Sequence, residues 1–402
     1  MKRNHFSVKL FAAIALAALP LWSNAAAAEQ IKDSKTTFAA DAINPYITSG
    51  ELPGLISVFY QNGIQETACL GWANVEEKRP ITMDSPFMQC SQTKGFCGVT
   101  IAMLIEEGKI SLDDPVSKYL PEFKELKVKD KKNNITPAKN VLTIRHVMNH
   151  TGGFPFEIPT KIKKGWPGLS LRDTAKEAAS LPLLFEPGTS MKYSNTGIDI
   201  GAAVIEVVTG KPWDVFLKER VLDPLGMKDT TFQPTDEMIA KSISMYSLSK
   251  GEKAKFRKFS PWMPLPHNGP TVFTSAGAGL WTTVNDQLKF YKMLMNLGIG
   301  DNGVRILKTE TVKNLLATST RPRKLGKYSL GLNADGNGSM GHGGAWSTRC
   351  TVKWKKKQLQ LVVVQIVGYR KNWSTALNKA AKKFFSNSFD TSGTDAYTGR
   401  LK

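Results

Sequence analysis

Ser91 and Lys94 stand three residues apart in the stretch CSQTKGFCGVTIAMLIEEG, residues 90–108. The apolar run that follows, closed by Glu106-Glu107-Gly108, predicts a buried helix with a glycine stop. At the start of such a helix, residues i and i+3 share one face, with Cβ atoms about 5–6 Å apart. A lysine amine then reaches a serine hydroxyl. Burial disfavours the charged amine, lowers its pKa, and turns it into a base for that serine. The pattern is common by itself: Ser247 and Lys250 repeat it in a polar segment. The chemistry therefore has to be argued from the rest of the chain.

A serine nucleophile needs a base, a proton carrier for the leaving group, and donors for the oxyanion. Two further segments offer them. Tyr193-Ser194-Asn195 follows Glu186-Pro187-Gly188-Thr189 and precedes a glycine-containing helix, and His342-Gly343-Gly344 lies on a late strand. Tyr193 and Lys94 can share the proton work. Backbone N–H groups at the helix start and on a strand edge without bulky side chains can hold an oxyanion.

The elements that must position these residues come from both ends of the chain. Residues 53–82 read as two strands turning at Asn62-Gly63. The segments SLGLNAD, SMGHGGAW, TRCTVKWKK and QLQLVVVQIV, between 329 and 367, read as later strands, and 374–386 as a closing helix. A short helix is predicted within LTIRHVMNHTGGF, residues 142–154, ending at Gly152-Gly153, and others near 170–181, 197–208, 212–220 and 284–297. The expected fold is α/β of the α+β type: one antiparallel sheet made from both chain ends, flanked by helices, with a mostly helical insert.

The chain has 402 residues with a net charge of +20. Residues 1–28 combine Lys2, Arg3 and Lys9, a short apolar run and an Ala-rich site, which predicts a cleaved export signal. The expected domains are that signal at 1–28, one catalytic domain at 29–386 and a tail at 387–402. No other apolar run approaches 18 residues, so no membrane anchor is expected after cleavage, and the mature chain is expected to be periplasmic or secreted. The lysine excess is scattered over several stretches, including KIKK at 161–164 and KGEKAKFRKF at 250–259. It reads as lysine-rich surface loops that attract anionic cell-envelope polymers. No nucleic-acid module accompanies it, and no nucleic-acid partner is expected. Cys69, Cys90, Cys97 and Cys350 allow a disulfide from Cys90 to Cys69 or Cys350, or four free buried thiols. The five histidines make no metal-ligand spacing, and neither metal nor cofactor is expected.

With these motifs in order, the chain resembles the serine β-lactamase-related hydrolases, the class C β-lactamase-like or penicillin-binding-protein-like family. GKISLDDPVSKYLPEF, LTIRHVMNHTGGF, FEPGTSMKYSNTGIDIGAAVIEVVTG and SAGAGLWTTVNDQLKFYKML carry the resemblance, which covers about Leu52 to Phe385. It implies that Ser91 is acylated, that Lys94 activates it, and that Tyr193 serves as acid/base with its phenol pKa lowered by the lysine. It implies that Asn195 binds a substrate carbonyl or amide and orients Lys94, and that the Ser91 and Ala345 N–H groups form the oxyanion hole. The family's third motif reads K-T-G or H-T-G. Here His342-Gly343-Gly344 lacks both the lysine and the middle hydroxyl, which removes partners for a substrate carboxylate. His342 or Arg349 could substitute; His146 and His150 are assigned to the framework. The expected function is an exported serine hydrolase of a small-molecule or peptide ester or amide. A true β-lactamase or D-alanyl-D-alanine carboxypeptidase, and a non-catalytic envelope-binding relative, are the alternatives.

Overall fold

The computed structural model describes residues 30–32, 37–164, 168–250, 252–256, 273–368 and 371–387. The predicted signal at 1–28, most of the tail at 387–402 and residues 257–272 lie outside them.

Strands β2 (Gly54–Gln61) and β3 (Ile64–Asn74) form a hairpin in full register, Gln61 opposite Ile64. Asn62 and Gly63 both take positive φ, 51° and 89°, as a tight turn matched to strand twist requires. The short β1 (Gln30–Lys32) runs parallel along β3, and β4 (Arg79–Pro80) also pairs with β3. The late strands are β5 (Asn333–Ala334), β6 (Ser339–Gly343), β7 (Arg349–Lys353) and β8 (Gln358–Val363). β8 pairs antiparallel with β2, so the main sheet runs β1-β3-β2-β8-β7-β6-β5. One sheet from both chain ends is the expected architecture.

Side chains alternate across this sheet. Leu55, Phe59 and Val362 pack on one face, under α1 (Phe38–Thr48) and the closing α5 (Lys371–Ser386). Phe384 sits there, 6.3 Å from Phe38 and 5.7 Å from Phe59 between ring centroids. Ile56, Val58, Leu359 and Leu361 face the other way, into the core that holds α2 (Thr93–Glu106). α2 is apolar on every side, and residues 93–104 are all buried. Gly95 and Gly98 let it press against the chain at 330–332: a Cβ on Gly98 would lie 1.9 Å from the Leu330 carbonyl oxygen. Opposite, Phe96 stacks on Phe290 of α4 (Val284–Met295).

Between α2 and α4 the regular structure of the described residues is mainly helical, with α3 (Asn195–Thr209) buried through its first eleven residues. One strand departs from expectation. The run 358–367 breaks at Gln365, whose φ is +58°. Its side chain donates to Met88 O, and Ile366 bonds to Trp346 and Ser347. These contacts pull Ile366–Gly368 out of the main sheet into a parallel pairing with Tyr246–Leu248. All four cysteines are free. Among the described residues, no helix is long and apolar enough to cross a membrane.

Candidate active site

Ser91 sits in a tight helical turn, Cys90–Gln92, that runs directly into α2. The residue before it, Cys90, has φ +52°, a left-handed conformation that costs a non-glycine residue about 1–2 kcal/mol. The turn is held from both sides. Thr93 Oγ1 donates to Cys90 O at 2.7 Å, and the Gln92 carboxamide oxygen accepts from Gln287 at 2.6 Å and from Tyr291 at 3.1 Å. Cys90 and Gln92 are buried, and Ser91 between them is half-buried.

One helical turn on, Lys94 is fully buried. Its Nζ lies 3.1 Å from Ser91 Oγ, 2.6 Å from Asn195 Oδ1 and 2.6 Å from Gly277 O. Burial brings its pKa down to about 7; Asp199 and Glu157 oppose the fall, and Lys161 adds to it. The number of partners decides what the amine can do. An ammonium fills all three contacts as a donor. A neutral amine donates to the two amide oxygens and keeps its lone pair directed at the Ser91 hydroxyl.

Tyr193 shares a hydrogen bond with the Ser91 hydroxyl, and Lys94 Nζ lies 4.7 Å from its ring centroid. The expected lowering of the phenol's pKa by lysine is not what the structure gives. Burial dominates and pushes the phenol above its ordinary value, because the amine faces the ring rather than the hydroxyl. Tyr193 is therefore a neutral donor. His150, assigned to the framework, packs its ring 4.4 Å from that of Tyr193, and its Nδ1 accepts the Ser194 N–H at 3.3 Å. Ser194 caps α3, accepting from Gly197 N at 3.0 Å and donating to Pro155 O at 2.6 Å. Asn195, the first residue of α3, has both ends of its amide engaged: Oδ1 by Lys94, and Nδ2 by Glu157 Oε1 at 2.7 Å.

The third motif lies on β6 and just beyond it. His342 is buried; its Nε2 accepts from the Tyr328 hydroxyl at 3.0 Å, and Nδ1–H donates to Gly343 O at 2.6 Å. Burial and nearby Lys94 hold its pKa down at about 3, so it is neutral. Arg349 points from β7 to the α5 face, where it donates to Asn378 at 2.9 Å. It shares that face with Thr351, while Cys350 and Val352 enter the core of α2. Neither residue offers a cation beside Ser91. Gly344 is tightly enclosed: a Cβ there would meet Thr348 Oγ1 at 2.1 Å and Gln89 O at 2.4 Å. Gly343 has room, its nearest neighbour being Thr348 O at 3.5 Å. The Ala345 and Trp346 N–H groups hydrogen-bond the Cys90 sulfur, and burial pushes that thiol up to about 12, so it stays protonated.

Three neighbours of the site escaped the sequence reading. Glu157 and Lys161 pair at 2.7 Å, and Lys161 lies 3.3 Å from Asp199. Lys161 is buried at 2 % exposure instead of lying on the basic surface expected of KIKK. The spacing of Glu157 and Lys161 is i,i+4, and Asp199 interrupts the apolar stretch of α3; those two signals mark a buried ion cluster. Gly277 joins it through its N–H, which donates to Asp199 Oδ1 at 3.0 Å.

Comparison with known proteins identifies the family. The family description "Beta-lactamase" matches residues 39–365. Protein Rv1367c of Mycobacterium tuberculosis is 28% identical over 283 residues, 68% of this chain and 69% of its own length. Esterase EstB of Burkholderia gladioli is 28% identical over 265 residues, 59% of this chain and 64% of its own. The solved structure of EstCE1, a hydrolase with promiscuous acyltransferase activity, superposes with a TM-score of 0.71 at 21% identity, covering 86% of this chain and 97% of that one. A penicillin-binding protein homologue from Pyrococcus abyssi superposes with a TM-score of 0.64 at 23% identity, covering 87% and 77%. With four-fifths of its length matched and a serine–lysine–tyrosine cluster at the mouth of α2, the chain belongs to the beta-lactamase family.

Proposed function

We propose that the protein is an exported serine hydrolase that cleaves an ester or amide through an acyl-enzyme on Ser91. The contact set of Lys94 carries this reading: two fixed amide-oxygen acceptors and a third contact on Ser91 Oγ. With its pKa near 7, the amine takes the Ser91 proton at neutral pH. Oγ then bonds to the carbonyl carbon. The leaving oxygen or nitrogen departs with a proton delivered through Tyr193, whose raised pKa suits a donor. Water then attacks the acyl carbon and gives its proton to the Tyr193 oxygen, while protonated Lys94 returns a proton to the departing Ser91 Oγ, releasing an acid and regenerating all three groups. The Ser91 N–H, at the start of the helical turn, receives the oxyanion. The Ala345 N–H joins it by leaving the Cys90 sulfur, a weak acceptor.

The geometry favours an ester over a peptide carboxylate or a β-lactam. His342 is neutral, Arg349 sits on the far face, and Gly343 has no side chain, so the expected carboxylate partners are missing. Asn195, expected to bind a substrate amide, already uses both ends of its own. Phe156 is 45% exposed and lies parallel to Tyr193 at 6.1 Å, an apolar surface for an acyl chain. Similarity to a protein named as an esterase points the same way.

Intact-mass spectrometry tests this directly. The mature protein should gain one fluorophosphonate adduct, absent from Ser91→Ala, and no lasting penicillin adduct. A penicillin adduct with turnover would shift the substrate class to β-lactams or peptidoglycan peptides. Folded protein unreactive toward both would overturn the enzymatic reading in favour of a binding role. The same spectrum on protein from an exporting host reads the N-terminus, expected near residue 28.

A further inference from the structure

We propose that Glu157, Lys161 and Asp199 are positioning residues: a buried ion triad that fixes the two acceptors on Lys94 and sets the charge around its amine. The inference rests on the acyl-enzyme reading of Ser91 and adds residues to it.

Two relays run from the triad to Nζ. Glu157 Oε1 accepts from Asn195 Nδ2 at 2.7 Å, and Asn195 Oδ1 accepts from Lys94 at 2.6 Å. A carboxamide turned over would present N–H to the amine, so Glu157 decides which way Asn195 faces. In the second relay, Asp199 Oδ1 accepts the Gly277 N–H at 3.0 Å, and Gly277 O accepts from Lys94 at 2.6 Å. Ser275 Oγ also donates to Asp199, at 3.1 Å. Gly277 packs closely on α3: a Cβ there would stand 2.7 Å from Asn195 Cβ. Lys161 holds the two carboxylates together, 2.7 Å from Glu157 and 3.3 Å from Asp199, with the Phe273 ring 4.7 Å from its Nζ.

The charges have a direction. Burial raises the Glu157 carboxyl, and Lys161 and Asn195 draw it back down; with Glu157 ionised the triad sums to one negative charge, which protonated Lys94 neutralises. Asp199 and Glu157 favour the ammonium, and Lys161 disfavours it. The other titratable groups facing Lys94 among the described residues are the Cys90 and Cys97 thiols, His150, His342 and Tyr193. Burial keeps the thiols and Tyr193 protonated and the histidines neutral, so the triad supplies the fixed charge. Lys94 acts as a base when neutral, so losing a carboxylate moves the acid limb of the rate to lower pH.

The test is the rate of fluorophosphonate labelling from pH 5 to 9. Glu157→Gln keeps an acceptor for Asn195 and removes the charge; its acid limb should move down by about one pH unit. Glu157→Gln/Lys161→Met restores the triad's single negative charge, and its limb should return toward wild type. Glu157→Ala loses the acceptor, and its plateau rate should fall about tenfold or more. A purely structural role predicts a double variant worse than the single, with an unmoved limb in both, and would overturn the proposal. Where Glu157→Gln does not fold, Asp199→Asn and Asp199→Asn/Lys161→Met are read in the same way. A fold that survives none of these replacements also overturns it, since the triad would then be a strut. Wild-type protein that does not label refutes the acyl-enzyme reading instead.

Discussion

Lys94 and Lys161 are two buried lysines in one cluster, at 0 % and 2 % exposure, and they are solvated in opposite ways. Lys161 faces two carboxylates, Glu157 and Asp199. Lys94 faces two neutral amide oxygens and a hydroxyl. Only Lys161 has opposite charge in direct contact, whereas burial among neutral partners lowers the pKa of Lys94. Neutral amides stand between the carboxylates and Lys94: the Asn195 carboxamide before Glu157, and Gly277 before Asp199.

The comparison can be broken most severely by removing the proton chemistry of one lysine. Lys94→Arg keeps a cation but cannot deprotonate, and should slow Ser91 labelling by about 1000-fold at pH 8. Wild-type labelling should rise with pH through about 7, as Lys94 loses its proton, and the residual rate of the variant should lack that step. For Lys161 the loss should appear in stability. Lys161→Met strands two carboxylates and should cost about 3–5 kcal/mol in denaturant unfolding. Lys94→Met leaves only neutral groups and should cost far less, or stabilise. The sign has a pH dependence. Lys94 titrates near 7 when folded and near 10.5 when unfolded, so between those values the unfolded chain binds more protons and stability rises with pH. The wild-type disadvantage against Lys94→Met should accordingly shrink from pH 7 to pH 10.

A sharper intervention makes Lys94 resemble Lys161. Asn195→Asp combined with Glu157→Gln puts a carboxylate against the amine and a donor behind it. The acid limb should move up by one pH unit or more, cutting labelling at pH 7 about tenfold and sparing it at pH 9. The smallest effect belongs to the opposite wall. Gly343→Ser has room for its Cβ and should leave stability within about 0.5 kcal/mol. Gly344→Ala should be visibly destabilising, because its Cβ would meet the Gln89 carbonyl oxygen at 2.4 Å.

What the sequence revealed and what it hid follow from the range of the interactions. Ser91 and Lys94 are related by one helical turn, so their contact is local and readable from spacing. Tyr193 and Asn195 reach the same point from a hundred residues away, and recognisable phrases, not periodicity, brought them there. The protonation of Tyr193 was misread because it depends on where the amine sits relative to the ring, which spacing does not encode. Lys161 was misread for a different reason. Its neighbours Lys163 and Lys164 make a basic run, and Glu157 together with the three-dimensional placement of Asp199 from α3 explains why the first lysine turns inward. Likewise the break at Gln365 is set by its contact with Met88, remote in sequence, and by the bond from Ile366 to Trp346.

The pairing of β2 with β8 carries a consequence for synthesis. Gln61 bonds opposite Gln358, so one edge of the first hairpin waits for nearly 300 further residues before it finds its partner. During translation that edge is an open ladder of peptide groups, competent to join the same edge on a neighbouring nascent chain. The closing strand therefore ends two hazards at once: it completes the scaffold behind α2, and it withdraws the hairpin from aggregation. A chain truncated just before residue 358 should go to inclusion bodies rather than survive as a weak enzyme.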